Sequence, residues 1–428
     1  MRKNYRAYLR IQRDKKTKYN KQLELFKNQY SFENVFTMQH FFACLPKCTK
    51  NVGWKASVQN YMWTCVSKIT KDYQKIQTGE LPKPVSDRDV VIYERGKRRI
   101  ITPIHIRDRI TQKVLCDFAL VPILSKSLIY DNGASLQGKG VDFTRRRIMK
   151  HLQSAIKKWG NDFYILTFDF KDFFNSVPHS TCRKILTKYI LDERLVEFTM
   201  EVIKSPYRTK ILKIADLSER EEELARLDND EMHGICLGSQ VSQIMALIIA
   251  NDIDHHIKDE MRYKEYCRYM DDGIIFARTK EELHELYSDI QQVCTRLGLI
   301  FNEKKTCVIK ARKGFTFLKV RDYVTDSNKI VRKLTRPGIV RMRRKLKRFA
   351  PKVQEGTMTL DNVYDSMQSW LAHSAVAQSY RTRREMLKLY DELFNGYKIT
   401  KKYKHQKGED DVLQIDRWAK YRWGRNAA

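Results

Sequence analysis

Residues 266–276 read YCRYMDDGIIF, and two adjacent aspartates, Asp271 and Asp272, stand between two short apolar and aromatic runs. Neighbouring carboxylates repel each other, and a partly buried charge loses solvation energy. The flanking runs predict two strands joined by a tight turn, which places both carboxylates at the tip of a hairpin. A further strand, DFYILTFDF at 162–170, carries Asp169 close to its end. If these strands are neighbours, the three carboxylates converge at one end of a sheet.

Patterns of apolar residues predict the order β–α–α–β–β–α across 160–320, which is typical of an α+β unit with an antiparallel sheet backed by helices. An alternating segment at 88–104, RDVVIYERGKRRIITPI, predicts a β-hairpin before it. We divide the chain into a helical basic N-terminal extension (1–80), the α+β region (81–325), a helical region (326–396) and a basic, aromatic tail (397–428). The Pro/Gly-containing stretch GELPKPVSD at 79–87 marks the first boundary.

The chain of 428 residues has 82 Lys and Arg against 51 Asp and Glu, a formal net charge of +31. The basic residues cluster, notably in 1–21 and in RMRRKLKR at 341–348, whereas 218–231 is an acidic island. A compact protein with this excess of charge repels itself unless a polyanion neutralises it. The composition therefore predicts a nucleic-acid partner.

The nine cysteines contain no C-x-x-C pair, which favours reduced structural thiols in a cytoplasmic protein over a zinc site. The N-terminus is charged and lacks the apolar segment of a secretory signal. The longest apolar run, IMALIIA at 244–250, is too short to span a bilayer. We expect no membrane association.

The ordered set of motifs resembles the reverse transcriptase family over roughly 80–325. The motifs that carry this resemblance are, in chain order, GKRRIITPIHIRDRI (96–110), FDFKDFFNSVPH (168–179), HGICLGSQVSQ (233–243), YMDD (269–272), LGLIFNEKKT (297–306) and FTFLKV (315–320). Tyr-x-Asp-Asp alone is a weak signal, because aspartate is common in turns. The full set in the family's order is specific. The resemblance implies a right-hand polymerase fold, with fingers and a ferredoxin-like palm at 81–325 and a helical thumb at 326–396.

The resemblance also assigns roles to the aspartates. Asp169 and Asp271 are expected to bind two Mg²⁺ ions, for which Mn²⁺ is a substitute, and Asp272 is the third carboxylate. The backbone carbonyl of Phe170 is expected to face a metal. Lys305 lies where the family has a lysine near the leaving pyrophosphate, as a general acid or a charge clamp, although the adjacent Lys304 competes for this role.

Other residues are expected to contact the deoxynucleoside triphosphate. Phe174 falls where the family keeps an aromatic ring against the sugar, and the alternative is an ordinary core aromatic. Arg98 and Arg99 are expected to hold the triphosphate, with a basic hairpin turn as the alternative.

The glycine block departs from the common pattern. Many relatives read Pro-Gln-Gly and close the block with Ser-Pro, whereas this chain reads CLGSQVSQ at 236–243. Leu237 stands where glutamine usually contacts the nucleotide, Gly238 allows close backbone approach, and Gln243 replaces the proline. The form Leu-Gly-x-x-x-Ser-Gln resembles diversity-generating retroelements and some bacterial defence reverse transcriptases.

The region after 330 resembles the thumb. The basic residues expected to track the cDNA product duplex are Arg341, Arg343, Arg344, Lys345, Lys347 and Arg348. Trp370 and His373 are interpreted as thumb core. NDIDHHIK at 251–258 groups aspartates and histidines, and we interpret it as a solvated helix face and not as a metal site.

These features predict an RNA-directed DNA polymerase that copies a structured non-coding RNA, most like bacterial defence-associated or unclassified reverse transcriptases. A mutagenic enzyme of a diversity-generating retroelement is the alternative. A non-catalytic RNA-binding scaffold is disfavoured, because Asp169, Asp271 and Asp272 are all present. The sequence leaves the identity of the RNA and the oligomeric state open.

Overall fold

The computed structural model of the protein describes residues 24–78, 80, 89–94 and 97–398. The basic cluster at 1–21, most of the segment 79–87, the turn at 95–96 and nearly all of the tail at 397–428 lie outside the described residues. The contacts group the described residues into two units. The first contains the residues up to Ile148 together with Phe168–Ile275 and His284–Cys307, and the second contains Met149–Thr167, Phe276–Leu283 and the residues from Val308 onward.

The first unit begins with helices: α1 (Phe32–Val35), α2 (Met38–Thr49), α3 (Ala56–Met62) and α4 (Cys65–Gln77). The Thr37 hydroxyl accepts a hydrogen bond from the amide of His40 and caps the start of α2. The side chain of Asp192 caps a later helix and also accepts a hydrogen bond from the amide of Phe32 at 2.7 Å. This contact anchors the N-terminal helices to the rest of the unit.

The predicted hairpin follows as β1 (Val90–Glu94) and β2 (Lys97–Ile101), which pair antiparallel. The helices after it are α5 (Ile106–Leu115), α6 (Val121–Leu124) and α7 (Val141–Trp159), with a π-turn at Cys116–Leu120 between the first two. After β3 (Tyr164–Asp169), the chain forms α8 (Phe173–Ser176), α9 (His179–Tyr189), α10 (Glu193–Ile211), α11 (Leu217–Asp228), α12 (Gln240–Ile249) and α13 (Asn251–His255).

The central sheet contains β3, β4 (Tyr266–Tyr269), β5 (Asp272–Ala277) and β6 (Cys307–Lys310) in the order β4–β5–β3–β6. Helix α14 (Lys280–Leu297) connects β5 to β6. The first and last strands are neighbours, with β5 on the other side of β3, which is the arrangement of a βαββαβ, ferredoxin-like unit. The α+β class is confirmed, and the order explains how strands distant in sequence place their ends together.

The second unit contains a separate antiparallel sheet and a helical bundle. The sheet is formed by β7 (Phe315–Phe317), β8 (Val320–Val324) and β9 (Ile330–Leu334), and the helices are α15 (Arg336–Gln354), α16 (Leu360–Ser374) and α17 (Tyr380–Phe394). Apolar side chains such as Leu346, Met367 and Tyr390 form the core of the bundle, and Trp370 packs against it as interpreted from the sequence.

The remaining sequence-based expectations concern the cysteines and the membrane. All nine cysteines lie among the described residues, and each is a free thiol. No helix in the part of the chain that the structure describes has both the length and the apolar character needed to cross a bilayer.

Gly273 gives a direct test of the packing behind the hairpin. A Cβ atom at this position would lie 2.0 Å from Cζ of the buried Phe168 ring. We expect Gly273→Ala to lower the stability by about 1–3 kcal/mol through overpacking. The measurement is the thermal unfolding midpoint. Gly53→Ala is the matched control, since a Cβ there meets no atom within 4 Å; equal midpoints for the two variants would contradict this packing.

Candidate active site

The hairpin between β4 and β5 has a two-residue turn. Tyr269 pairs with Asp272, which leaves Met270 and Asp271 as the loop. Met270 adopts the left-handed region with φ of 59°. Two-residue hairpin loops require such a conformation, and a non-glycine residue adopts it at a free-energy cost of about 1 kcal/mol. The turn is therefore as tight as predicted and is strained at the residue before the two aspartates.

Asp169 lies where β3 ends, beside the hairpin. Its backbone carbonyl accepts a hydrogen bond from the amide of Asn302 at 2.8 Å, and its carboxylate Oδ2 accepts one from Lys305 Nζ at 2.6 Å. Asn302 Nδ2 approaches Oδ1 of the same carboxylate at 3.4 Å. The segment before β6 thus brings a cation to the carboxylate of Asp169 on β3, the strand beside β6. Of the two adjacent lysines, Lys305 makes this contact.

The three carboxylates influence each other strongly. Burial, followed by repulsion from Asp271 and Asp169, raises the pKa of Asp272 to about 8. Burial and the charge of Asp169 also raise the pKa of Asp271. A carboxyl group whose pKa is raised in the folded state is stabilising when protonated, and it becomes destabilising as the pH rises and it ionises. At neutral pH this cluster therefore stores unfavourable electrostatic energy unless cations neutralise it.

Lys305 supplies one such cation. Burial opposes its charge, but the hydrogen bond and the charge of Asp169 outweigh burial and raise the pKa of the ammonium group. Lys305 therefore stays protonated at neutral pH. Arg99 on β2 also acts on the cluster, since its charge lowers the pKa of Asp271 and partly offsets the rise.

A layer of aromatic rings lies behind the carboxylates. Phe170 is 2% exposed, and its ring stacks on Phe173 and Phe301 with centroids 5.2 and 5.3 Å away. Phe168 packs beside it. The side chain of Phe170 is thus core, which leaves only its backbone for the predicted contact with a metal. Phe174, in contrast, is only half-buried, so its ring is not an interior core residue.

The glycine block borders two cavities. Leu237 lines a cavity of about 350 Å³ together with Arg98, Arg99 and Asp172. Gly238 and Gln243 line another, of about 530 Å³, whose wall also carries the cationic side chains of Lys47, Arg109 and Lys113. Gly238 has φ of +112°, and a Cβ there would lie 3.2 Å from the carbonyl oxygen of Thr102, so the backbones approach closely. Leu237, Gly238 and Gln243, which were predicted to form part of one nucleotide site, therefore line two different cavities.

The comparison with protein families finds a match to the reverse transcriptase (RNA-dependent DNA polymerase) model over residues 81–321, more than half of the chain. The chain belongs to the reverse transcriptase family. Its matched domain is that of an RNA-directed DNA polymerase, and it contains the three aspartates, Lys305 and all the residues that line the smaller cavity. No curated protein matches the chain.

Solved structures of telomerase are similar to this reverse transcriptase at a low level. One, telomerase from Candida albicans in complex with the TWJ fragment of telomeric RNA, is 14% identical with a TM-score of 0.39, and the match covers 77% of this chain and 60% of that chain. Another, apo telomerase from Candida tropicalis, is 15% identical with a TM-score of 0.37, and the match covers 80% and 65%. This chain therefore spans less than two thirds of either of them.

The donor atoms of the reverse transcriptase site suit a divalent cation. Reverse transcriptases generally use divalent metal ions, and carboxylate oxygens are hard donors of the kind that such ions prefer. Burial, and after it repulsion between the carboxylates, raises the pKa of Asp271 and of Asp272, and a bound cation would offset both effects. Asp169, Asp271 and Asp272 are the residues that would hold it. Among the described residues, no group of three or more His, Cys, Asp or Glu side chains is arranged to enclose a metal by itself.

A buried ion pair under the turn between β4 and β5 was not predicted from the sequence. Arg268 is fully buried, and its guanidinium donates to both carboxylate oxygens of Asp254 at 2.7 and 2.6 Å. The same guanidinium donates to the carbonyl of Met270 at 2.8 Å and to that of Leu247 at 3.0 Å. The buried guanidinium of Arg268 thus restrains the strained turn through its hydrogen bond to the Met270 carbonyl. The sequence feature that could have indicated this ion pair is an arginine, Arg268, inside an apolar strand next to the aspartates.

The interpretation of NDIDHHIK at 251–258 as a solvated face is wrong for Asp254. This carboxylate has no exposed surface, and it also accepts a hydrogen bond from the hydroxyl of Tyr266 at 2.7 Å. Asp252 fits the interpretation better, since it pairs with Lys188 near the surface. The helix is half-buried because α13 packs under the sheet, a tertiary effect that local sequence does not show.

The basic residues that were predicted to belong to a thumb lie on α15 in the second unit. Arg341, Arg343, Arg344, Lys347 and Arg348 are exposed, and Lys345 is half-buried with its ammonium 5.3 Å from the centroid of the Phe349 ring. Met342 and Leu346 on the opposite face are buried in the bundle core. The helix therefore presents a basic surface, apart from Arg343, which pairs with Glu385.

Asp254→Asn tests the ion pair between Asp254 and Arg268 under the turn. The variant leaves the charge of Arg268 buried without its counter-ion, and we expect the free energy of unfolding to fall by about 3–5 kcal/mol. Asp252→Asn on the same helix is the matched control, with an expected change within about 0.5 kcal/mol. Urea unfolding followed by circular dichroism measures both. Similar stabilities for the two variants would show that the pair does not hold the turn.

Proposed function

We propose that this protein copies an RNA template into DNA by adding deoxynucleotides to a primer 3′-hydroxyl with two Mg²⁺ ions. The observation that carries the proposal is the convergence of Asp169, Asp271 and Asp272, with the pKa of Asp272 raised to about 8, in a reverse transcriptase domain. If these three carboxylates had no function, replacing them with uncharged residues would remove the repulsion and stabilise the fold. Their presence together in a repulsive arrangement beside a strained turn supports a role in binding cations.

In this proposal Asp169 and Asp271 hold the ions, with the Phe170 carbonyl as a further ligand and Asp272 as the supporting carboxylate. Bound Mg²⁺, or Mn²⁺ in its place, would activate the 3′-hydroxyl and stabilise the charge on the transferred phosphoryl group. Lys305 neutralises Asp169 in this structure. A cation on Asp169 would compete with that pairing and free the protonated lysine for the leaving pyrophosphate, as a charge clamp or a proton donor.

The two cavities suit two parts of the substrate complex. The smaller one, with Arg98, Arg99 and Leu237, fits the nucleoside triphosphate, because guanidinium groups bind phosphate oxygens. The larger one, with Gly238 and Gln243, fits the template strand, because Arg109 in its wall complements a phosphate backbone, whereas Lys47 and Lys113 are both paired with Asp117. Leucine at 237 offers apolar contact only, so the shape of the nascent base pair governs selection more than hydrogen bonding at this position.

The basic face of α15 supports binding of the cDNA product duplex. Its exposed arginines and lysines are spaced along one helix, where they can neutralise successive phosphates. Contacts to phosphates do not depend on the base sequence. A polymerase requires such contacts, because its product duplex moves as synthesis proceeds.

We further propose that the biological role is bacterial antiviral defence, with a structured non-coding RNA as template, in the cytoplasm. The sequence of the glycine block also favours the alternative of a diversity-generating retroelement, because Leu237, Gly238 and Gln243 follow the form found there. Sequencing the RNA that co-purifies with the protein separates the two. Enrichment of one structured RNA supports defence, whereas a template repeat with a matching variable repeat in the genome supports the alternative.

Removal of the hairpin carboxylates tests the catalytic proposal. Asp271→Asn combined with Asp272→Asn should abolish primer extension on an RNA template, while the thermal midpoint and RNA co-purification are retained. Asp326→Asn, at a side chain 91% exposed in the second unit, is the matched control and should extend primers normally. Near-normal synthesis by the double variant would refute the assignment.

Phe174 is expected to select the sugar. In Phe174→Val, the smaller side chain should admit a 2′-hydroxyl, so ribonucleotide incorporation should rise about tenfold relative to deoxynucleotides, equal to about 1.4 kcal/mol. The measurement is the ratio of kcat/KM for the two nucleotides. Phe42→Val, on the exposed side of α2, serves as control. An unchanged ratio would show that the Phe174 ring does not contact the sugar.

A further inference from the structure

The loop and turn that flank α3 expose large apolar side chains. Trp54, just before the helix, is 74% exposed, and Trp63, just after it, is 86% exposed. Met62 and Val66 beside Trp63 are also exposed. Two tryptophans that are exposed at both ends of a seven-residue helix are unusual, because tryptophan is highly buried on average. We call Trp54, Met62, Trp63 and Val66 the α3 surface.

The stretch of sequence that contains the α3 surface is rich in lysine and poor in acidic residues. Asp72 is the single acidic residue of the sequence between 34 and 79, and it is buried in an ion pair with Arg107. The exposed lysines of this region are Lys50, Lys55, Lys71, Lys75 and Lys47, the last of which pairs with Asp117. The ammonium of Lys55 lies 5.5 Å from the centroid of the Trp54 ring.

The backbone under the α3 surface is fixed. Tyr61 is 2% exposed and meets the ring of His105 edge-on, which packs α3 against the start of α5. Lys68 Nζ donates to the carbonyl of Asn60 at 3.0 Å and joins α4 to α3. Arg107 Nε donates to both oxygens of Asp72, at 2.7 and 2.8 Å, and joins α4 to α5. The tryptophans therefore extend from a rigid support, which lowers the entropy lost on binding.

We propose that the α3 surface binds unpaired nucleotides of the RNA, with bases stacked on Trp54 and Trp63 and phosphates neutralised by the surrounding lysines. This inference rests on the proposed function, because it takes the template RNA as the ligand. Flat aromatic faces next to cations are the chemistry that binds single-stranded RNA without sequence preference. A duplex hides its base faces in the stack and would not engage the rings.

The test uses the full-length protein without nucleotides and a fluorescein-labelled, unstructured RNA of about 16 nucleotides. We expect Trp54→Ala and Trp63→Ala each to weaken binding about tenfold in a fluorescence anisotropy titration, since stacking contributes that much per base. Trp54→Phe and Trp63→Phe should restore most of the affinity, because phenylalanine keeps a stacking face. Leu217→Ala, at an exposed apolar residue of the acidic helix α11, is the matched control and should bind as the wild type does.

Three results would overturn the inference. Unchanged affinity of the alanine variants would show that the rings do not contact RNA. An equal loss for an RNA duplex of the same length would exclude recognition of unpaired bases. A wild type that is dimeric by light scattering, with monomeric alanine variants of unchanged RNA affinity, would assign the α3 surface to a protein interface.

Failure of this inference is distinguishable from failure of the proposed function. Primer extension on a pre-annealed RNA–DNA duplex is measured with the same preparations. Wild-type protein that binds the single-stranded RNA through the tryptophans but never extends a primer would refute the polymerase proposal alone. Wild-type extension with tryptophan-independent RNA binding would refute the α3 surface alone.

Discussion

Repulsion among three carboxylates is the constraint around which the first unit is organised. Asp169, Asp271 and Asp272 meet because the first strand of the sheet lies beside the hairpin, and burial makes their mutual repulsion stronger than it is in water. The protein offsets part of this energy with the ammonium of Lys305 and the guanidinium of Arg99. A bound divalent cation would offset the repulsion that remains. We therefore expect metal binding to stabilise the folded state of this unit.

The geometry of the turn depends on a second electrostatic contact beneath it. A non-glycine residue in the left-handed region would relax toward other conformations unless its surroundings fix it. Arg268 provides that restraint through the Met270 carbonyl, and Asp254 compensates the buried charge of Arg268. The aromatic layer of Phe168, Phe170 and Phe301 fills the space behind. The side chains that we propose to be catalytic are thus carried by a strained loop on a rigid support.

Local patterns in the sequence were sufficient for the hairpin and the α+β class, whereas Lys305 was expected only from the family resemblance, and its contact with Asp169 was not predicted. Alternation of apolar residues and turn residues encodes such features within a few positions of the chain. The ion pair of Asp254 with Arg268 could not be found in this way, because a half-buried helix and a solvated one have similar local composition. The separation of Leu237 from Gly238 and Gln243 was also missed. Gly238, with φ of +112°, packs against the carbonyl oxygen of Thr102 just after β2, a long-range contact that the local sequence does not show.

The most direct test of the account is to locate the metal. The protein would be crystallised with an RNA–DNA duplex, a non-hydrolysable deoxynucleoside triphosphate and Mn²⁺, and anomalous scattering would identify the ions. The account predicts Mn²⁺ between the carboxylates of Asp169 and Asp271, with nucleotide phosphates completing the shell and Lys305 released from Asp169. Ordered nucleotide without any ion at these carboxylates, or with Lys305 still bound to Asp169, would contradict it.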